Sequence, residues 1–200
     1  MACGSQPSAV EQVARQRSAQ AAQAARDAQL PKDVQDFLAR AAGAAGHRYT
    51  VTYAGPGNGK TVLTQRPPDR RIDVVAVDGS ESFVHTGGTT YTCTQPPQGA
   101  WTCEKRASVE DPDLSLFTVE SLGQTINALA ASRHQFRFAV TTRKLAGTTA
   151  TCLVTTPLAG GQAGELCIAG NGAVLLIDTP QRQLTAVRYS SGAAPVRTPA

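Results

Sequence analysis

The chain has 200 residues, 41% of them hydrophobic and 17% charged, with a formal net charge of +4. That length suits one globular domain of about 150 residues plus a tail better than two domains. No apolar run approaches the roughly 18 residues of a membrane-spanning helix, and the basic residues, spread from Arg15 to Arg197, form no Lys/Arg block of the kind that marks a nucleic-acid partner.

The N-terminus reads Met1-Ala2-Cys3-Gly4-Ser5. A bacterial lipoprotein signal ends in a small residue just before the modified cysteine, and Ala2-Cys3-Gly4-Ser5 resembles the end of that box. Cys3 is therefore the expected site of a diacylglyceryl anchor, with the signal peptide removed. Residues 8–29 have high helix propensity but an apolar stripe made only of Val10, Val13 and alanines. Residues 1–30 are accordingly expected to be a lipobox remnant and an Ala/Gln-rich tether rather than core. Pro31 interrupts them, and residues 32–45 then place Val34, Phe37, Leu38 and Ala41 at helical spacing, ending in Gly43 and Gly46.

Strand signals follow, alternating with period two between turn residues. In 47–54, Tyr49, Val51 and Tyr53 share one face and Thr50 and Thr52 the other. A Gly-rich turn leads into 61–66, Pro67-Pro68 makes a break, and 70–77 and 81–85 form a hairpin through Asp78-Gly79. Runs 89–94 and 100–105 flank Pro96-Pro97-Gln98-Gly99. The sheet is then interrupted by 111–132, which reads as helical with Leu114, Phe117, Leu122, Ile126 and Leu129 as its apolar side. Strands resume at 135–143, with Phe136, Phe138 and Val140 on one face, and continue through 149–155 and 165–169. Asn171-Gly172, the strongest short hairpin signal in the chain, leads to 173–178 and 183–190. Residues 31–190 thus form one β domain, and the Gly/Ala/Pro/Thr stretch 191–200 reads as a disordered tail.

Four of the five cysteines fit cross-strand pairs. A hairpin turning at Pro97-Gln98 sets Cys93 opposite residue 102 or 103, and Cys152 and Cys167 sit at matching distances from the loop 157–164. Directly opposed residues have Cβ atoms about 4.5 to 5.5 Å apart, close to disulfide range. The expected bonds are Cys93–Cys103 and Cys152–Cys167, which imply an oxidising, extracytoplasmic compartment.

Motifs with chemistry are few. Ala54-Gly55-Pro56-Gly57-Asn58-Gly59-Lys60-Thr61 satisfies a relaxed Walker A pattern, with Val74-Val75-Ala76-Val77-Asp78 as a possible partner. A phosphate loop needs a helix directly after its Lys-Thr, whereas β-branched residues and then Pro67-Pro68 follow, so a hairpin turn explains the same letters. His47, His85 and His134 stand at the edges of separate elements with no metal spacing, and Asp78, Ser80 and His85 crowd one hairpin, which cannot supply a triad. No metal, no cofactor, no catalytic residue and no enzymatic activity are expected.

Helix, antiparallel strands, helical insert and further strands, together with the Cys3 lipobox remnant, resemble the superfamily of lipoprotein-localisation factors that contains LolA, LolB, RseB, LppX and LprG. The resemblance covers residues 33 to 190. It implies an α+β fold: a curved, unclosed antiparallel β-barrel of about ten strands, with an N-terminal helix and a helical insert covering the concave face. It also implies an apolar cavity that accepts acyl chains, for which Tyr49, Val51, Tyr53, Phe117, Leu122, Ile126, Leu129, Phe136, Phe138 and Val140 are the candidate lining residues. The expected role is that of a lipid-anchored protein of the bacterial cell envelope that binds or carries a lipid, glycolipid or other amphiphile. The alternative is an RseB-like sensor or a structural module with an envelope protein as partner, its concavity filled by its own side chains.

Overall fold

A computed structural model of the chain describes residues 9–106, 128, 131, 133–180 and 182–199. Helix α1 (Ala9–Asp27) is followed by α2 (Lys32–Ala42) and a 3-10 turn at Ala44–Gly46. Strands β1 (Tyr49–Ala54), β2 (Lys60–Arg66), β3 (Asp69–Ala76), β4 (Gly79–Thr86), β5 (Thr89–Gln95) and β6 (Thr102–Arg106) form a meander. A second meander runs through β7 (Phe136–Leu145), β8 (Thr148–Pro157), β9 (Gly164–Ile168), β10 (Val174–Thr179) and β11 (Arg182–Ser190). The first strand and the last join the two, because β1 pairs antiparallel with β11.

The result is an α+β fold with an open, eleven-stranded antiparallel sheet in the order β6-β5-β4-β3-β2-β1-β11-β10-β9-β8-β7. The expected strands are present, eleven of them among the described residues rather than about ten. Among the described residues no barrel closes, and β6 and β7 are the two edges of the sheet. The insert expected at 111–132 lies, apart from residues 128 and 131, outside the described residues.

Packing divides the sheet into two halves. Alternation in β1 buries Tyr49, Val51 and Tyr53 completely or nearly so. Together with Leu63 and Ile72 they share a core with Ala150, Cys152, Cys167 and Leu175 of the second half. The other face of that half meets the helices: Leu153, Ile168, Val174 and Ile177 form a second core with Val34, Phe37 and Leu38 of α2. Strands β8 to β10 are therefore the middle layer, covered on both sides, which is why Val174–Ile177 is buried without alternation. Such a strand reads as a continuous apolar run.

The stretch that composition reads as a tether is a docked helix. Ala14, Ala21 and Ala25 of α1 are buried, and the Ser18 hydroxyl donates to the Ala39 carbonyl of α2 at 2.8 Å. Small side chains bring the two axes close, so the stripe is real although its hydropathy is low. The Pro/Ala/Thr stretch 191–199 has no regular structure, yet it is fastened across the outer face of the first half. Thr50 Oγ1 donates to the Gly192 carbonyl (3.2 Å), Arg71 donates to the Arg197 carbonyl (3.0 Å), and Val196 is buried. Thr50, Thr64 and Arg71 are successive cross-strand neighbours, so the tail crosses β1, β2 and β3 along one row.

Candidate functional site

Both expected disulfides form. Cys93 and Cys103 are direct partners in the β5–β6 ladder, and Cys152 and Cys167 in the β8–β9 ladder. The latter pair lies wholly within the core between the two halves. Two such bonds place the chain in an oxidising, extracytoplasmic setting. No helix among the described residues is long and apolar enough to cross a membrane.

The structure does not bring the two expected apolar stripes together. Tyr49, Val51 and Tyr53 belong to the core between the sheet halves, whereas Phe138 and Val140 border the core under α2. They sit on opposite sides of the β8–β10 layer and cannot line one cavity. Phe117, Leu122, Ile126 and Leu129 lie outside the described residues, as does Cys3.

The tyrosine stripe is filled by its own neighbours. Tyr53 stands opposite Ala186 on β11, and its hydroxyl reaches past that small residue to donate to the Val174 carbonyl at 2.7 Å. Burial pushes the Tyr49 phenol up to about 12 against a smaller opposing pull from Arg70, and burial raises Tyr53 well above its ordinary range. Both phenols stay neutral at any physiological pH, so the tyrosine stripe itself offers packing and no charge.

The β7 edge is different. Phe136, Phe138 and Val140 alternate along one face of the strand, and each is only half-buried, although Val140 stands directly opposite the fully buried Leu153. The same face continues through Thr142 to the exposed Lys144, whose ammonium donates to Thr149 at 2.8 Å. Arg40, exposed near the end of α2, donates to Thr151, the cross-strand partner of Thr142, at 3.3 Å. An apolar shelf thus runs along the strand from Phe136 and ends in two cations. Phe136 to Lys144 spans roughly 27 Å at about 3.4 Å per residue. At its start, Arg133 donates to the Ala28 carbonyl, tying the entry of β7 to the turn between the helices.

No protein-family model, curated protein or solved structure matches this chain. The site is therefore read from its own chemistry. The Gly-rich segment after Ala54 is the β1–β2 hairpin turn, closed by the Gly55 amide donating to the Gly59 carbonyl at 2.8 Å, and Lys60 opens a strand. The backbone that would hold phosphate at a helix N-terminus is thus committed to a ladder. His47 precedes β1, His85 lies on β4 and His134 in the 3-10 turn before β7, and all three are exposed. Surface grooves among the described residues also lie elsewhere, such as one of about 440 Å³ between α1 and the 3-10 turn, with Glu11, Arg15 and His47, and one of about 540 Å³ at the β3–β4 hairpin, with Asp78 and Glu81.

Sequence reasoning found Phe136, Phe138 and Val140 through alternation, but not Lys144 or Arg40. Lys144 follows Phe138 and Val140 at even spacing, so extending that alternation would have reached it. Arg40 has no such signal, because its placement depends on how α2 crosses β8.

Proposed function

We propose that this chain is an extracytoplasmic, lipid-anchored protein of the bacterial cell envelope that binds an anionic amphiphile on the β7 shelf rather than catalysing a reaction. The supporting observation is the half-covered stripe Phe136, Phe138 and Val140 on β7, the edge strand of the sheet among the described residues, ending at Lys144 and Arg40. An acyl chain laid there extends the core under α2, and each buried methylene contributes about 0.8 kcal/mol before ordering costs are subtracted. The two cations fit an anionic headgroup at the far end of that chain. Superfamily resemblance, an open antiparallel sheet and the Ala2-Cys3 box agree with this reading without adding geometry to it.

The filled tyrosine core favours a second reading, a sensor or structural module that engages an envelope protein and carries no lipid. Native mass spectrometry of the chain purified from its own membrane separates the two. The amphiphile reading expects a bound species lost in Lys144→Glu, and the module reading expects apoprotein alone. Anchoring is tested by expressing the chain behind a bacterial lipoprotein signal peptide: Cys3→Ser should move the protein from membrane to soluble fraction.

A further inference from the structure

The two disulfides stand in opposite environments. Cys152–Cys167 joins interior strands, and both residues are fully buried. Cys93–Cys103 fastens the edge strand β6, whose five residues are all exposed, Cys103 among them, while Cys93 is fully buried. Directly beside Cys93, on the same face of the neighbouring strand β4, lies Ser82. Its residue is fully buried, and its hydroxyl has no hydrogen-bond partner among the described residues. A buried hydroxyl left unbonded costs stability, so its presence in this row calls for a function.

We propose that Cys93–Cys103 is a thiol–disulfide exchange site, with Cys103 as the sulfur attacked by an external thiolate and Ser82 as the positioning residue that stabilises Cys93 when it leaves. The attacking thiolate forms a bond to Cys103 Sγ, the Cys93–Cys103 bond breaks, and its electron pair departs on Cys93 Sγ as thiolate. The Ser82 hydroxyl, which has no acceptor among the described residues because Asp73, its partner on β3, already takes the Arg71 guanidinium, donates to that thiolate. A second external thiolate then attacks the sulfur of the first, giving the external disulfide and releasing Cys103 as thiolate. Two electrons have come from the two external thiols, and two solvent protons complete the cysteines. Attack runs in this direction because only Cys103 faces solvent, and in exchange the leaving sulfur matters as much as the attacking one. Opening removes the covalent tie on β6 and leaves it held to β5 by the ladder of five residue pairs alone. This inference does not depend on amphiphile binding.

The test uses the folded, full-length chain in reduced glutathione, quenched by alkylation and mapped by peptide mass. The expected products are a glutathione adduct on Cys103 and an alkylated Cys93, with Cys152–Cys167 intact. Ser82→Ala should slow the opening about tenfold, the scale of one hydrogen bond to a charged group, and Ser82→Thr should restore it. Should Ser82→Thr not fold, the pH profile of Cys93 alkylation in the opened protein serves instead, and it should move to higher pH in Ser82→Ala. Simultaneous opening of both disulfides, or an adduct on Cys93, would overturn the exchange site. An unchanged rate together with an unchanged pH profile in Ser82→Ala would overturn the role of Ser82.

Discussion

Tyr53 on β1 hydrogen-bonds the carbonyl of Val174 on β10 at 2.7 Å, passing over β11, the strand that lies between them. The bond lands beside the register shift between Val174 and Leu176 and ties the first half of the sheet to the middle layer. Both ends are buried, so Tyr53→Phe leaves a buried acceptor without this donor. Chemical denaturation should show a loss of about 1–3 kcal/mol with an unchanged slope. A loss near zero would mean that the carbonyl finds another donor.

The pH dependence follows from Tyr49. Its pKa is raised to about 12 from an ordinary 10 by burial. Below pH 10 neither the folded nor the unfolded chain ionises it, and its contribution is complete. Between 10 and 12 only the unfolded chain does, so stability falls with rising pH and is lost as pH passes the folded value. Two units correspond to about 2–3 kcal/mol. Tyr53 acts in the same direction. Alkaline titration followed by tyrosinate absorbance should show these two phenols ionising together with unfolding, and Tyr49→Phe should flatten the stability curve above pH 10.

Gly172 carries two constraints at once. Its φ is 83°, and a Cβ there would stand 2.3 Å from the Arg40 carbonyl oxygen, because the β9–β10 turn packs against the end of α2. Gly172→Ala should therefore cost more than the roughly 1 kcal/mol of a strained backbone angle alone. Gly147, also at positive φ but with nothing near, gives the control. Thermal melting should rank Gly172→Ala well below Gly147→Ala, and equal melting points would mean that the turn moves off the helix without penalty.

Much of this architecture could be read from residues alone. Alternation located the strands, Asn171-Gly172 the β9–β10 turn, and matched spacing both disulfides, since all three are local signals. Helix α1 escaped because its buried positions are Ala14, Ala21 and Ala25, where close approach replaces hydropathy. The partition of Tyr53 and Phe138 into separate cores was also hidden. Each stripe records that one face of its own strand is buried, and nothing in either says which layer covers it. That depends on how β11 joins the halves, with its register shift opposite Thr52 and Tyr53.

Amphiphile binding on the β7 shelf is measured most directly by titrating the folded chain with a fluorescent long-chain fatty acid. Phe138 is half-buried, so Phe138→Asp should leave cooperative unfolding intact while placing a carboxylate where the acyl chain lies. The unmodified chain should bind saturably, with binding weakened at least about tenfold in Phe138→Asp through lost apolar burial, and weakened again in Lys144→Glu through repulsion of the headgroup. Binding of equal strength in all three proteins, or none in the unmodified chain, would contradict amphiphile binding on the shelf.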